Sequence, residues 1–104
     1  MKFFTLTANT APNLVVGEAK RDTTLSLLHV GAFGGGTLTF GVYSAAGTFY
    51  PLTDPAPVSV VGNRTIFLGK GTTFAVSLAN ATTPALVLGI AGEHFEFSPG
   101  IYQL

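Results

Sequence analysis

The stretch from Gly31 to Leu52, GAFGGGTLTFGVYSAAGTFYPL, constrains the fold more than any other part of the chain. A glycine cluster leads into alternating apolar and polar residues, and a turn of small residues precedes a short aromatic segment. Successive side chains of a β-strand point to opposite faces, so this alternation predicts a hairpin with one face in a core. The same alternation recurs in residues 73–78 and 86–91. The three alternating strands predict an inward-facing core of Phe40, Val42, Phe74, Val76, Leu86 and Leu88.

Turn residues recur about every 8–12 residues, which is typical of a sandwich or barrel of short strands. Weaker strands are expected at residues 4–6, 14–16 and 25–30, where a bulge would let the adjacent Leu27 and Leu28 both point inward. Residues 58–61 and 65–68 predict two more strands, separated by a turn at Gly62 and Asn63. We therefore expect one all-β domain over residues 1–104. It would be a single β-sandwich of about eight short antiparallel strands, jelly-roll or immunoglobulin-like.

Composition points to an assembly. Hydrophobic residues make up 47% of the chain and charged residues 10%, against about 25% charged in an ordinary soluble domain. A chain of this length buries only about two-thirds of its unfolded surface, so a monomer would leave much apolar area in water. The formal net charge is zero, which excludes a basic face for nucleic acid. No stretch approaches the roughly 20 apolar residues of a membrane helix, and the first apolar run breaks too soon for a secretory signal.

No group of residues in the sequence predicts catalysis. The chain has no cysteine, and its five acidic residues are scattered over turns and ends. Glu93 and Glu96 stand near His94 and raise the question of a metal, but we expect a polar surface, with His94 and Glu96 on one face of a strand. His29 is expected to be a satisfied polar residue at a strand end, and residues 20–22 a solvated turn. The prediction is a protein that is not an enzyme, with no catalytic, cofactor-binding or metal site.

Both ends of the chain are apolar, although chain ends usually fray and are polar. Ordering them must be offset by contacts, so the two ends either pair as strands of one sheet or extend as arms onto a neighbouring copy or another protein. The candidate interface residues are Phe3, Phe4, Phe33, Phe95, Phe97, Ile101 and Tyr102.

Two segments also carry a family resemblance. The first is GGGTLTF, followed by SAAGTFYPL, and the second is LGKGTTFAVSL, followed by TTPALVL. This order of glycine cluster, alternating strand and short turn resembles small β-sandwich virion proteins of tailed bacteriophages. Those include capsid decoration (cement) proteins and head- or tail-associated fibre modules. The resemblance covers roughly residues 31–90 and brings no catalytic residues.

The resemblance implies a structural virion protein that decorates or cements the outer capsid surface. Such a protein would be made in the host cytoplasm and would act without a cofactor, nucleic acid or membrane. Its partners would be further copies of itself, expected as a homotrimer, and the major capsid protein or another virion protein. The alternative is a tail- or fibre-associated module that recognises a host surface glycan by stacking aromatic rings on sugars. A small hydrolase ranks far below both. The aromatic candidates for that stacking are Phe33, Phe49, Tyr50 and Tyr102.

Overall fold

A computed structural model describes residues 1–10 and 13–99, which form nine strands in two antiparallel sheets. The four-stranded sheet has the order β1-β8-β3-β6 and the five-stranded sheet the order β5-β4-β7-β2-β9. The prediction of an all-β sandwich is confirmed. The strands are β1 (Lys2–Leu6), β2 (Leu14–Ala19), β3 (Thr23–Ala32), β4 (Thr37–Tyr43), β5 (Phe49–Pro51), β6 (Gly62–Leu68), β7 (Thr73–Ala79), β8 (Ala85–Ala91) and β9 (Phe95–Phe97).

The pairing of the first eight strands is that of a jelly roll. Strand β1 pairs with β8, β2 with β7, β3 with β6 and β4 with β5, each antiparallel. The first half of the chain therefore lies against the second half as one long hairpin, which is rolled so that its strands alternate between two sheets. Strand β9 extends the five-stranded sheet beside β2. These pairings decide between the two architectures that strand spacing left open.

The core lies between the two sheets and follows the predicted alternation. Phe40, Phe74 and Val76 are buried, with the Phe40 and Phe74 rings stacked at a centroid distance of 6.4 Å. Leu86 and Leu88 are buried on the opposite sheet, as predicted. Val42 is only partly buried, because it lies near the end of β4 beside the short strand β5.

Residues 58–61 do not form the predicted strand. Only Val58 is paired, in a single bridge to Leu38, and the side chains of Val60 and Val61 are exposed. The predicted turn at Gly62 and Asn63 is also wrong, since both residues belong to β6 and pair with β3. The tertiary pairing overrides the turn preference of this dipeptide, because β propensity depends on what a segment can pair with.

The bulge expected in β3 is found in β2 instead. The register of β3 runs unbroken against both neighbours, so Leu27 is buried and Leu28 lies on the other face. In β2 the register shifts between Val15 and Gly17.

The described parts of the two ends form strands, but they do not pair with each other in one sheet. β1 is an edge strand of the four-stranded sheet, and β9 is an edge strand of the five-stranded sheet. The segment containing Ile101 and Tyr102 lies outside the described residues.

Candidate functional site

The acidic and basic side chains of the described chain lie mostly at turns and strand edges, and two of them, Lys2 and Glu93, line one shallow depression. Glu18 and Glu96 are cross-strand neighbours at the edge of the five-stranded sheet, where Lys20 Nζ lies 3.4 Å and 3.7 Å from their carboxylate oxygens. Exposed pairs of this kind contribute about 0–1 kcal/mol each. Asp22 lies in the turn before β3, and its Oδ1 accepts a hydrogen bond from the Lys70 backbone N–H at 2.9 Å. These contacts tie turns and edges together.

The histidine and glutamates near β9 do not form the expected strand face. β9 begins at Phe95, so His94 lies in the preceding turn, with a φ of 56°. Glu96 lies on the strand itself. Within residues 1–10 and 13–99, no group of three His, Cys, Asp or Glu residues could hold a metal ion.

His29 departs most from its predicted setting, because it is fully buried in the middle of the core face of β3. Its Nδ1 lies 2.9 Å from the Val60 carbonyl oxygen, which can only accept, so Nδ1 carries the proton and donates it. The ring packs edge-on against Phe33, at a centroid distance of 6.0 Å. Nε2 is buried and has no hydrogen-bond partner among the described residues. The imidazole therefore holds the 58–61 segment against the core in its neutral form.

Burial lowers the pKa of His29 below its ordinary value of 6.5, because desolvation disfavours the charged imidazolium. The hydrogen bond to Val60 opposes this shift, and the Arg64 guanidinium reinforces it. As the pH falls below about 6.5, the unfolded chain takes up this proton first. We expect the free energy of unfolding to decrease as the pH is lowered from 6.5 toward the depressed pKa of the folded state.

Denaturant titrations between about pH 5 and 7.5 test this expectation with His29→Asn, whose amide nitrogen takes the position of Nδ1 and can still donate to the Val60 carbonyl but does not titrate. The variant should lose the part of the pH dependence that His29 contributes. His94→Asn is the control, because it removes the other imidazole at an exposed turn and should leave that part in place. Parallel pH curves for the wild type and His29→Asn would contradict the assignment.

The outer face of the four-stranded sheet carries no charged side chain along the described strands. Its outward positions follow from strand alternation and register, and we call this surface the uncharged face. The outer faces of antiparallel sheets are usually polar. On this face the polar side chains are threonine, serine and asparagine, and the other positions are apolar residues or glycine. Its residues are Phe3, Thr5, Thr24, Ser26, Leu28, Val30, Ala32, Asn63, Thr65, Phe67, Ala85, Val87, Gly89 and Ala91.

The start of the chain shapes this face. Met1 and Phe3 lie over Gly89, where a Cβ atom would come within 2.6 Å of the Met1 sulfur and 2.8 Å of the Phe3 ring. Glycine at this position therefore leaves room for the Met1 and Phe3 side chains to lie over the sheet. Two shallow depressions flank Met1, with volumes of about 660 Å³ and 550 Å³. We call the second one the groove, and its lining includes Met1, Ser26 and Ala91 together with the charged residues Lys2 and Glu93.

The structure distributes the predicted interface residues over different environments. Phe3 lies on the uncharged face and is partly exposed. Phe4 and Phe33 are buried inside the protomer and have little surface left for a partner. Phe95 and Phe97 are half-buried against the core, with their rings 5.1 Å apart. The predicted set is therefore not one continuous surface.

The aromatic residues proposed for sugar stacking are also dispersed. Phe49 packs over Gly41 and edge-on against Tyr43, at a centroid distance of 5.6 Å. Phe33 is buried, and Tyr50 is exposed on β5. Tyr102 lies outside the described part of the chain.

Sequence reasoning missed Phe67, which is the most exposed large hydrophobic residue among those described, at 68%. The signal was present, because Ile66 and Leu68 set the core phase of β6 and place Phe67 on the opposite face. The predicted turn at Gly62 and Asn63 shortened this strand, and the alternation of inward and outward residues is harder to recognise in a shorter strand.

The described residues form no helix long and apolar enough to cross a membrane. No family model, curated protein or solved structure matches the chain. The function of this chain is therefore inferred from its own surfaces.

Proposed function

We propose that this chain is a non-enzymatic structural protein that decorates the outer capsid surface of a tailed-phage particle as a homotrimer. The single observation that carries the proposal is the uncharged face. All ten charged residues of the chain lie outside it, although it presents the exposed rings of Phe67 and Phe3. A surface of this composition favours association over solvation.

Two further features support the same function. The jelly roll recurs in viral capsid and lectin domains, which is support from the fold alone. The zero net charge gives little protection against association, which suits a protein that works inside an assembly. The partner in the particle would be the major capsid protein or another virion protein. Binding to the assembled shell would stabilise it by mass action.

The proposal predicts the chain in purified particles at high copy number. Particles would be prepared from the host that carries its gene, and mass spectrometry would count copies against the major capsid protein. We expect a number on the order of hundreds, because a decoration protein follows the symmetry of the shell. A host protein of similar size from the same lysate controls for adhering material.

Other copy numbers would favour a different function. A small multiple of the tail symmetry would favour the tail or fibre module, for which the exposed ring of Tyr50 offers a sugar-stacking surface. Glycan binding that depends on Tyr50 would then support that alternative. Absence from the particles would contradict both roles.

A further inference from the structure

The segment between β5 and β6, residues 52–61, crosses from one sheet to the other without forming a strand, and we call it the strap. Most of its residues are exposed, and only Pro55 and Val58 are buried. The Val58 N–H donates to the Leu38 carbonyl at 2.9 Å, and the Leu38 N–H donates back at 2.8 Å. The other tie between the core and the end of the strap is the hydrogen bond from His29 Nδ1 to the Val60 carbonyl.

The imidazole of His29 suits the closed strap only while it is neutral. Nδ1 donates to Val60, but Nε2 is buried and has no partner among the described residues. A protonated ring carries an N–H group on both nitrogens, so Nε2 would become a buried donor without an acceptor. A buried donor without a partner is costly, and a buried charge is more so. The closed strap therefore disfavours the imidazolium.

A second cationic group lies beside the same edge of the ring. A Cβ atom added to Gly62 would lie 3.3 Å from Cε1 of His29 and 3.6 Å from Nη1 of Arg64, so the imidazole and the guanidinium are neighbours. Two like charges at this separation repel each other. The other elements around the ring, β4, β8 and the turn between β3 and β4, carry no Asp, Glu, Lys or Arg. The strap itself contributes Asp54, which is exposed.

We propose that His29 is a pH-sensitive switch whose protonation releases the strap from the core while the two sheets stay folded. The switch goes beyond the proposed function and does not depend on it. Segments with few hydrogen bonds and many exposed side chains open at a lower free energy than core strands, which makes the release local. Opening removes Val60 from the ring and lets water reach the imidazole.

The direction of the response follows from the two states of the strap. In the open state His29 titrates near its ordinary pKa of 6.5, whereas burial lowers its pKa in the closed state. Each pH unit below 6.5 therefore favours opening by up to about tenfold, until the lowered pKa is reached. Opening would uncover the Val58 side chain and free the N–H group of Leu38, which leaves the start of β4 unpaired on this side. Acid would thus expose a strand edge to which another segment can pair.

Amide hydrogen exchange of the full chain, followed by NMR between about pH 5 and 7.5, tests the switch. The reporters are the Val58 and Leu38 amides, which bond to each other across the strap. The reference amides are those of β3 and β7, the strands that have neighbours on both sides. After correction for the intrinsic pH dependence of exchange, protection of the reporters should fall at least about threefold between pH 6.5 and 5. The reference amides should stay more protected throughout.

His29→Asn removes the titrating group and keeps a donor for Val60, so the corrected protection of the reporters should no longer change with pH. His94→Asn is its matched control and should behave as the wild type. Reporters that exchange as slowly as the reference amides at every pH would show that the strap opens only on global unfolding. An acid response that persists in His29→Asn would show that another group causes it. Either result would overturn the switch.

Arg64→Gln tests the same switch from outside the core. Without the guanidinium the closed state tolerates the imidazolium better, so the reporters should lose less protection in acid. Lys70→Gln is the matched control, because it removes an exposed cation beyond the opposite end of β6. Both residues are exposed, so this pair decides even if His29→Asn fails to fold. Equal acid responses in the two variants would overturn the switch, and none of these outcomes bears on the particle test.

Discussion

Phe74→Ala should destabilise the protomer strongly, by roughly 3–5 kcal/mol. The Phe74 side chain is fully buried and stacks on Phe40, which lies on the neighbouring strand of the same sheet. A third ring, Phe95, meets it edge-on at a centroid distance of 6.5 Å. Truncation would remove these contacts and leave a cavity between the sheets. For a chain of this size the melting temperature should fall by at least about 12 °C.

Phe67→Ala is the matched control for this prediction, since it makes the same truncation at an exposed residue on the outer face of the other sheet. Its ring lies outside the core, so the cost should stay within about 1 kcal/mol, the range of β propensity. Both variants should be melted at low concentration, where self-association does not contribute. Equal losses for Phe67→Ala and Phe74→Ala would show that the assigned faces of these strands are wrong.

Gly34→Ala is the second large effect, and we expect it to cost roughly 2–4 kcal/mol. Gly34 has a φ of 64° in the turn between β3 and β4, and its carbonyl accepts a hydrogen bond from the Thr82 N–H at 2.8 Å. A Cβ atom there would overlap the Thr82 carbonyl oxygen. The overlapping atom is backbone, so the two turns would have to separate.

Gly35→Ala separates this steric effect from backbone strain. Gly35 also has a positive φ, of 76°, but a Cβ atom there would meet nothing within 4 Å. It should therefore cost only the strain of the left-handed conformation, about 1–2 kcal/mol. Denaturant unfolding of the two variants should show Gly34→Ala as clearly the less stable. Equal costs would mean that the Thr82 turn accommodates the added Cβ atom without a loss of stability.

The alternating strands were predictable because the two-residue period of a strand is local. A side chain such as Phe40 or Leu86 is sorted to the core face by its neighbours in sequence, whichever strand lies beside it. The turn spacing indicated the all-β class for the same reason. The charge deficit of the chain predicts an assembly, which stays a prediction, and composition by itself carries no information about position.

Pairing and site geometry required the tertiary structure. The β1–β8 contact joins residues at opposite ends of the chain, and no local pattern of Phe4 encodes Leu88 as its partner. The sequence predicts His29 at the end of a strand. Its hydrogen bond to Val60, which is 31 residues away, is visible only in the tertiary structure. The uncharged face exists only because β1, β8, β3 and β6 lie side by side with one phase outward. The sequence therefore determined the inward face of the clearly alternating strands, and long-range strand pairing decided which outward residues share a surface.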